Sequence, residues 1–206
     1  MSAHKGHPIR GRLNAWFLAY AETAMHEEYG DRKVSMLGPI PETVVELGPG
    51  SGANFRYYPR GTRVIAVEPN PMMHGRMNAQ ASRHGIRIDL RHAGAEGMDV
   101  ETGSAELVVS TLVLCSVRAP EQVVAEVRRV LKPGGRFAAS DWLAGYEGEP
   151  SPEMQAYIIA EGLDFGLASA NSYRLALESA GFVDIEFVDR NDWYRDEARR
   201  EREQLR

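Results

Sequence analysis

Short apolar runs alternate along this chain with stretches of helical spacing, and that alternation predicts an α/β domain on a mostly parallel sheet. Val44, Val45 and Leu47 form the first run, Val64 to Val67 the second and Ile86 to Arg91 the third. A fourth, Glu106 to Thr111, holds the fully apolar Leu107-Val108-Val109. Runs this short and apolar suit strands buried on both faces. Between them Asn70 is placed to cap a helix and Pro71 to start it. Pro120 starts another, with Val123, Val124, Val127, Val130 and Leu131 as its buried face and Lys132-Pro133-Gly134-Gly135 as its stop before strand five. Ahead of the first strand, Leu13, Trp16, Phe17, Tyr20, Ala24 and Met25 recur at helical spacing. They predict an amphipathic helix from Arg12 to Glu28, stopped near Gly30. Val183 to Val188 alternates Val, Ile and Phe with acids, as a half-covered sixth strand at a sheet edge does. Beyond Asn191 nothing alternates. Asp196 with Arg200 and Arg199 with Glu203 read instead as pairs on a solvated helix, anchored over the edge by Trp193 and Tyr194. One domain is expected: a helical segment over 1–40, a sheet core over 41–190 and a helix over 191–206, with six strands ordered 3-2-1-4-5-6.

The stretch from Thr43 to Asn54 carries the candidate chemistry. A strand runs into Gly48, Gly50 and Gly52 at alternate positions, so the chain can turn tightly and pass close beneath a ligand. The free N–H groups that follow would face that ligand. A dinucleotide turn places its third glycine five residues after the first, whereas here the separation is four. Glu46, just before the first glycine, would repel a pyrophosphate, and no Lys-Ser or Lys-Thr follows to make a phosphate loop. Glu68 ends the second run, 20 residues after Gly48, where an acid can accept hydrogen bonds from both hydroxyls of a ribose.

The run Glu46-Leu47-Gly48-Pro49-Gly50-Ser51-Gly52 closely resembles the first motif of class I S-adenosylmethionine-dependent methyltransferases. Lys132-Pro133-Gly134-Gly135-Arg136-Phe137 is a second hallmark of that class. The resemblance implies a Rossmann-like three-layer fold with S-adenosyl-L-methionine as cofactor, its ammonium end near Glu46. It implies cofactor contacts from Glu46, Gly48, Gly50, Gly52, Asn54, Glu68, Pro69, Thr111 and Leu112. The adenine would be read by the Ala95 backbone and the Glu96 carboxylate, in the loop after strand three. N-terminal helices commonly close such sites, so residues 1–40 are expected to form a lid. The antiparallel seventh strand usual in the class has no counterpart in the chain after Asn191, and its absence is expected.

Two narrower resemblances divide the chain. Residues 44–136 resemble the methyltransferase-like 7 group, whose animal members methylate small-molecule thiols. Leu47 to Pro59, Val67-Glu68-Pro69-Asn70-Pro71 and Thr111-Leu112-Val113-Leu114-Cys115-Ser116-Val117 carry the likeness. Residues 137–195 are similar to phosphoethanolamine N-methyltransferases, through Ser140-Asp141-Trp142, Glu153 to Tyr157, Ala180 to Ile185 and Asp189 to Tyr194. Trp142 keeps the aromatic after strand five and Tyr157 the lid aromatic. Glu161 stands where an arginine of the eukaryotic enzymes grips phosphate, and their histidine after strand four is missing.

Composition narrows the partners. The 206 residues are 43% hydrophobic and 26% charged, ordinary for a soluble globular domain. A net charge of −5 gives no electrostatic footprint for nucleic acid. The single cysteine, Cys115, fits a reducing, cytoplasmic setting and reads as a small buried hydrophobe. No apolar run approaches the roughly 18 residues that cross a bilayer, and the anchoring segment of the animal thiol enzymes has no counterpart. Stable membrane association is not expected, no metal site is expected, and a homodimer formed through the sheet edge stays open.

The acceptor is expected to be a small molecule. Methyltransferases acting on DNA bases place an Asn-Pro-Pro-Tyr-like tetrad after strand four, where this chain has Ser110-Thr111-Leu112-Val113-Leu114-Cys115. A sulfonium methyl is already activated, so the protein must mainly hold the nucleophile in line and desolvate it. A thiol, with an ordinary pKa of about 8.5, needs little base catalysis. The leading expectation is a thiol or other uncharged nucleophile, with Tyr20, Tyr29, Asp141 and Trp142 as candidates around it. A phosphoethanolamine-like amine and a non-catalytic S-adenosylmethionine-binding protein are the alternatives. An NAD-linked oxidoreductase is disfavoured by the glycine spacing and by Glu46.

Overall fold

The structure is a computed structural model that describes residue 26 and residues 29–161 and 167–204. Five parallel strands form its sheet in the order β3-β2-β1-β4-β5: β1 (Thr43–Leu47), β2 (Arg63–Val67), β3 (Arg87–Arg91), β4 (Ala105–Thr111) and β5 (Leu131–Ser140). The order reverses between β1 and β4, and there the strand ends leave the crevice in which open α/β sheets bind ligands. The expected order holds for these five.

Successive strand residues face opposite sides, and both sides are covered. Val44, Val64, Ala66, Leu107 and Val109 share one core with Leu37, Phe55, Tyr58 and Met77. Helix α1 (29–37) contributes Leu37 to this core and α2 (Pro71–His84) contributes Met77. Val45, Leu47, Ile65, Val67 and Val108 face the other core, beneath Val123, Val127 and Val130 of α3 (Pro120–Val130) and Tyr173 of α5 (Ala170–Ser179). Helix α4 (Pro152–Glu161) precedes α5, and α6 (Asn191–Gln204) ends the described chain. Caps form as the residue types demand. Asn70 accepts from the Met72 amide at 3.1 Å to start α2, and Gly85, at φ +70°, ends it.

Several expectations give way. Gly30 does not stop a helix; it lies inside α1, which ends before Gly38, at φ +55°. Its bare Cα faces the His26 ring, where a Cβ would come within 3.1 Å. The helix expected over 12–28, with Tyr20, lies outside the described residues apart from His26. Helix α3 stops at Val130, so the stop phrase at 132–135 already belongs to β5, which takes a register shift opposite Ala105 and Leu107.

The expected sixth strand, Val183 to Val188, does not form, and among the described residues the sheet has five strands rather than six. Phe182 and Phe187 both pack on the core, with the Phe182 and Phe137 rings 6.1 Å apart. Residues an odd number apart point to opposite faces of a strand, so a regular strand could bury only one of them. The chain packs both partly buried rings on the core by turning at Asp184, at φ +53°, which leaves Val183 80% exposed. Residues 191–204 form the expected helix and no seventh strand. Trp193 does not anchor it to a strand edge, however; its indole meets Tyr29 and Arg32 of α1.

Candidate functional site

The glycine turn leaves β1 at the crevice. Gly48 sits at φ +51° and donates to the Val67 carbonyl at 2.9 Å, and a side chain there would strike Val113 Cγ2 at 2.7 Å. Gly50, at φ +56°, would project a Cβ into open space, with only the Gly48 carbonyl at 3.9 Å. A cradle that a single methyl group would begin to fill is what close backbone approach to a ligand requires. Gly52 instead backs onto the Phe55 ring, 2.7 Å from where its Cβ would stand.

Glu68 is buried across this cradle. Its Oε2 accepts from the Gly50 amide at 3.0 Å and its Oε1 from the Asn70 amide at 2.8 Å, tying the turn to the start of α2. Each oxygen keeps a lone pair for a further donor, such as a ribose hydroxyl. Pro69 follows it, exposed. His74 of α2 and His92 after β3 meet edge to face at 4.8 Å beside the Glu68 backbone.

Glu46 is fully buried under the turn, and both oxygens are in use: Asn54 Nδ2 donates at 2.8 Å and Tyr58 Oη at 2.9 Å. Asn54, also buried, donates to Thr111 Oγ1 at 3.0 Å and accepts from Lys33 Nζ at 2.8 Å. A polar chain thus joins α1, β1, the turn and the end of β4. Burial pushes the Glu46 carboxyl up to about 7, against the pull of the Asn54 and Tyr58 hydrogen bonds and of the Lys33 charge. The folded protein therefore binds a proton that the unfolded chain releases near 4.5. Stability is greatest below that value, falls as pH rises to about 7 and is level above it. The loss is on the order of 3 kcal/mol. Glu46→Gln, whose amide can accept from Asn54 and face Tyr58, should flatten the dependence of Tm on pH between 5 and 8. An unchanged slope in that variant would assign the pH response elsewhere.

At the third strand end, Ala95 is buried beside Leu47, Val67 and Leu114. The Glu96 carboxylate turns to the Arg118 amide at 3.2 Å, and its carbonyl takes Gln122 Nε2 at 2.9 Å. Glu96 is thereby docked against the start of α3.

The ends of β4 and β5 form the other half of the site. Leu112 holds φ +58°, a conformation that costs a leucine about 1 kcal/mol, and its amide is fixed on the Ser140 carbonyl at 2.9 Å. Asp141 is committed to backbone. Its Oδ2 accepts from the Val113 and Leu114 amides at 2.9 and 2.7 Å, and its Oδ1 from Trp142 at 2.9 Å. Of the acceptor candidates, Asp141 thus holds the loop after β4 through these three amides, and Trp142, next in the chain, is 47% exposed. Tyr29 turns away, its ring 5.1 Å from Trp193. Burial, and then the Asp141 carboxylate, push the Cys115 thiol up to about 12, which disfavours the thiolate.

Glu46, Gly50, Asn54, Glu68 and Thr111 are thus linked into two hydrogen-bonded groups at one turn. Sequence reasoning missed Lys33, Tyr58 and Val113. Tyr58 lies inside the recognised motif run, so its phenol could have been paired with Glu46; Lys33 carried no signal. Among the described residues, no group of three or more His, Cys, Asp or Glu could hold a metal ion, and no helix is long and apolar enough to cross a membrane.

Residues 45–139 match the family described as "Methyltransferase domain". The five-stranded parallel sheet and the glycine turn give the chain the Rossmann-like fold of class I methyltransferases. Among curated proteins the chain is similar to human thiol S-methyltransferase TMT1B, 44% identical over 95 residues, covering 45% of this chain and 39% of that protein. It is also similar to human thiol S-methyltransferase TMT1A, 35% identical over 133 residues, covering 59% and 54%. The chain spans about two fifths to just over half the length of these relatives. A phosphoethanolamine N-methyltransferase of Haemonchus contortus, solved in complex with S-adenosyl-L-methionine, shares the fold. Its TM-score is 0.69 at 18% identity, over 84% of this chain and 40% of that one.

Proposed function

We propose that the chain transfers the methyl group of S-adenosylmethionine to a small, uncharged, apolar nucleophile, with a thiol as the leading class. The carrying observation is the apolar character of the two adjacent strand ends. Leu112, Trp142 and Leu143 are 46%, 47% and 40% exposed there, and Leu112 holds a strained backbone to stay so. Exposed apolar groups kept at such a cost belong to a surface that a ligand covers.

The fit to the cofactor rests on the cradle over Gly50 and on the acids flanking it. Gly48, Gly50 and Gly52 would form its floor, Glu68 with Pro69 the ribose side, Ala95 and Glu96 the adenine side, and Thr111 and Leu112 the methyl side. Glu46 would act through Asn54 beneath the methionine end. When bound, the cofactor supplies an electrophilic methyl. The protein's residues then have to position the acceptor and exclude water. A thiol suits this arrangement because the Asp141 carboxylate is taken up by three backbone amides and a thiol needs little base catalysis. The resemblance of residues 137–195 to phosphoethanolamine enzymes supports an amine as second reading. Glu161 opposes it, since an acid in place of a guanidinium repels a phosphate dianion; its side chain lies outside the described positions. The expected result is faster methylation of an apolar aryl or alkyl thiol than of phosphoethanolamine at equal concentration. The reverse order would replace the thiol reading with the amine one. A cytoplasmic location and a single-domain organisation belong to the same proposal.

A further inference from the structure

We propose that Lys33, outside the recognised domain, is a positioning residue for the cofactor turn, and that Trp193 of α6 sets Lys33 in place. The inference rests on S-adenosylmethionine being the ligand of that turn.

The Asn54 side chain is only 2% exposed, so the direction its amide faces is set by its partners. Its inner neighbours are the Glu46 carboxylate and the Thr111 hydroxyl. A flipped amide would aim Oδ1 at Glu46 Oε1, acceptor against acceptor. Lys33 Nζ, 2.8 Å from Oδ1, can only donate, so it fixes the orientation that sends Nδ2 inward. Its charge also favours the ionised form of Glu46. Without this donor, a buried oxygen two residues past Gly52 loses its partner.

Lys33 reaches Asn54 only if α1 is held against the turn. At the far end of α1, Arg136 of β5 donates to the Leu37 and Pro39 carbonyls at 2.6 and 2.9 Å. At the near end the clamp is Trp193. Its ring meets Tyr29 edge to face at 5.1 Å and lies 4.0 Å from the Arg32 guanidinium. Tyr29 is one helical turn before Lys33, and Arg32 is its neighbour. Trp193, Tyr29 and Arg32, Lys33, Asn54 and then Glu46 with Thr111 therefore form a contiguous path from the C-terminal helix to the crevice.

S-adenosylmethionine affinity is read by titration calorimetry, with Tm alongside, for wild type, Lys33→Met, Lys33→Arg, Trp193→Ala and the Lys33→Met/Trp193→Ala double variant. Lys33→Met should weaken binding about tenfold and Lys33→Arg, which keeps a donor, by less than about twofold. Trp193→Ala should weaken it about three- to tenfold, and the double variant should bind no more weakly than Lys33→Met alone. Should Trp193→Ala fail to fold, Trp193→Phe, which keeps a ring against Tyr29, takes its place and should weaken binding less than Lys33→Met does. Unchanged affinity in Lys33→Met, no rescue by arginine, or losses that multiply in the double variant would each overturn the inference. Failure of the wild type to bind S-adenosylmethionine would instead defeat the reading beneath it.

Discussion

Gly50→Ala is expected to bind S-adenosylmethionine about tenfold to a hundredfold more weakly than the wild type while melting only a few degrees lower. The modest stability cost is that of placing an alanine at φ +56°, about 1–2 kcal/mol. The large binding cost has a separate origin, because the added methyl would meet no protein side chain and would stand in the cradle itself. Gly48 makes a less clean test than its motif position suggests. A side chain there would first strike Val113 at 2.7 Å and displace the loop after β4, so loss of binding would mix steric blocking with a moved loop. Calorimetric titration beside a melting curve separates the two. Wild-type affinity in Gly50→Ala would remove the turn from the cofactor site.

Asp141→Ala should cost about 2–4 kcal/mol of stability, because it strands the Val113, Leu114 and Trp142 amides. For a domain of this size the drop in Tm is roughly 5–15 °C. Turnover should fall with it, since those amides set the loop carrying Leu112 and the ring of Trp142. Asp141→Asn, which keeps one accepting oxygen, should lie between the two and leave the shape of the pH–rate profile unchanged. If Asp141 were the general base, Asn would abolish turnover with Tm nearly intact.

Much of this architecture could be read before any coordinate was known, for identifiable reasons. Buried parallel strands announce themselves as apolar runs, and Asn70-Pro71 and Pro120 announce helix starts, so the order of β1 to β5 followed. Val183 to Val188 misled because its alternation satisfies strand spacing, while Phe182 and Phe187 could both pack on the core only by breaking the strand at Asp184. In the candidate site, Glu68 and the glycines were legible as a turn that could approach a ligand closely. The partners of Glu46 were not. Tyr58 reaches Glu46, and Lys33 reaches its neighbour Asn54, only through the fold, one from the short turn after Asn54 and one from α1. Asp141 was legible as present but not in its role, since nothing local shows three backbone amides converging on one carboxylate.

The central claim is that this domain moves a methyl group from S-adenosylmethionine to an apolar thiol at the ends of β4 and β5. A single-turnover experiment tests it directly. The protein is preloaded with S-adenosylmethionine bearing an isotopically labelled methyl group and mixed with a simple aryl thiol, and the products are read by mass spectrometry. The account predicts label on the thiol sulfur and stoichiometric S-adenosylhomocysteine. Label retained on the cofactor with every thiol, amine and phenol offered, or recovered only on the nitrogen of phosphoethanolamine, would contradict it.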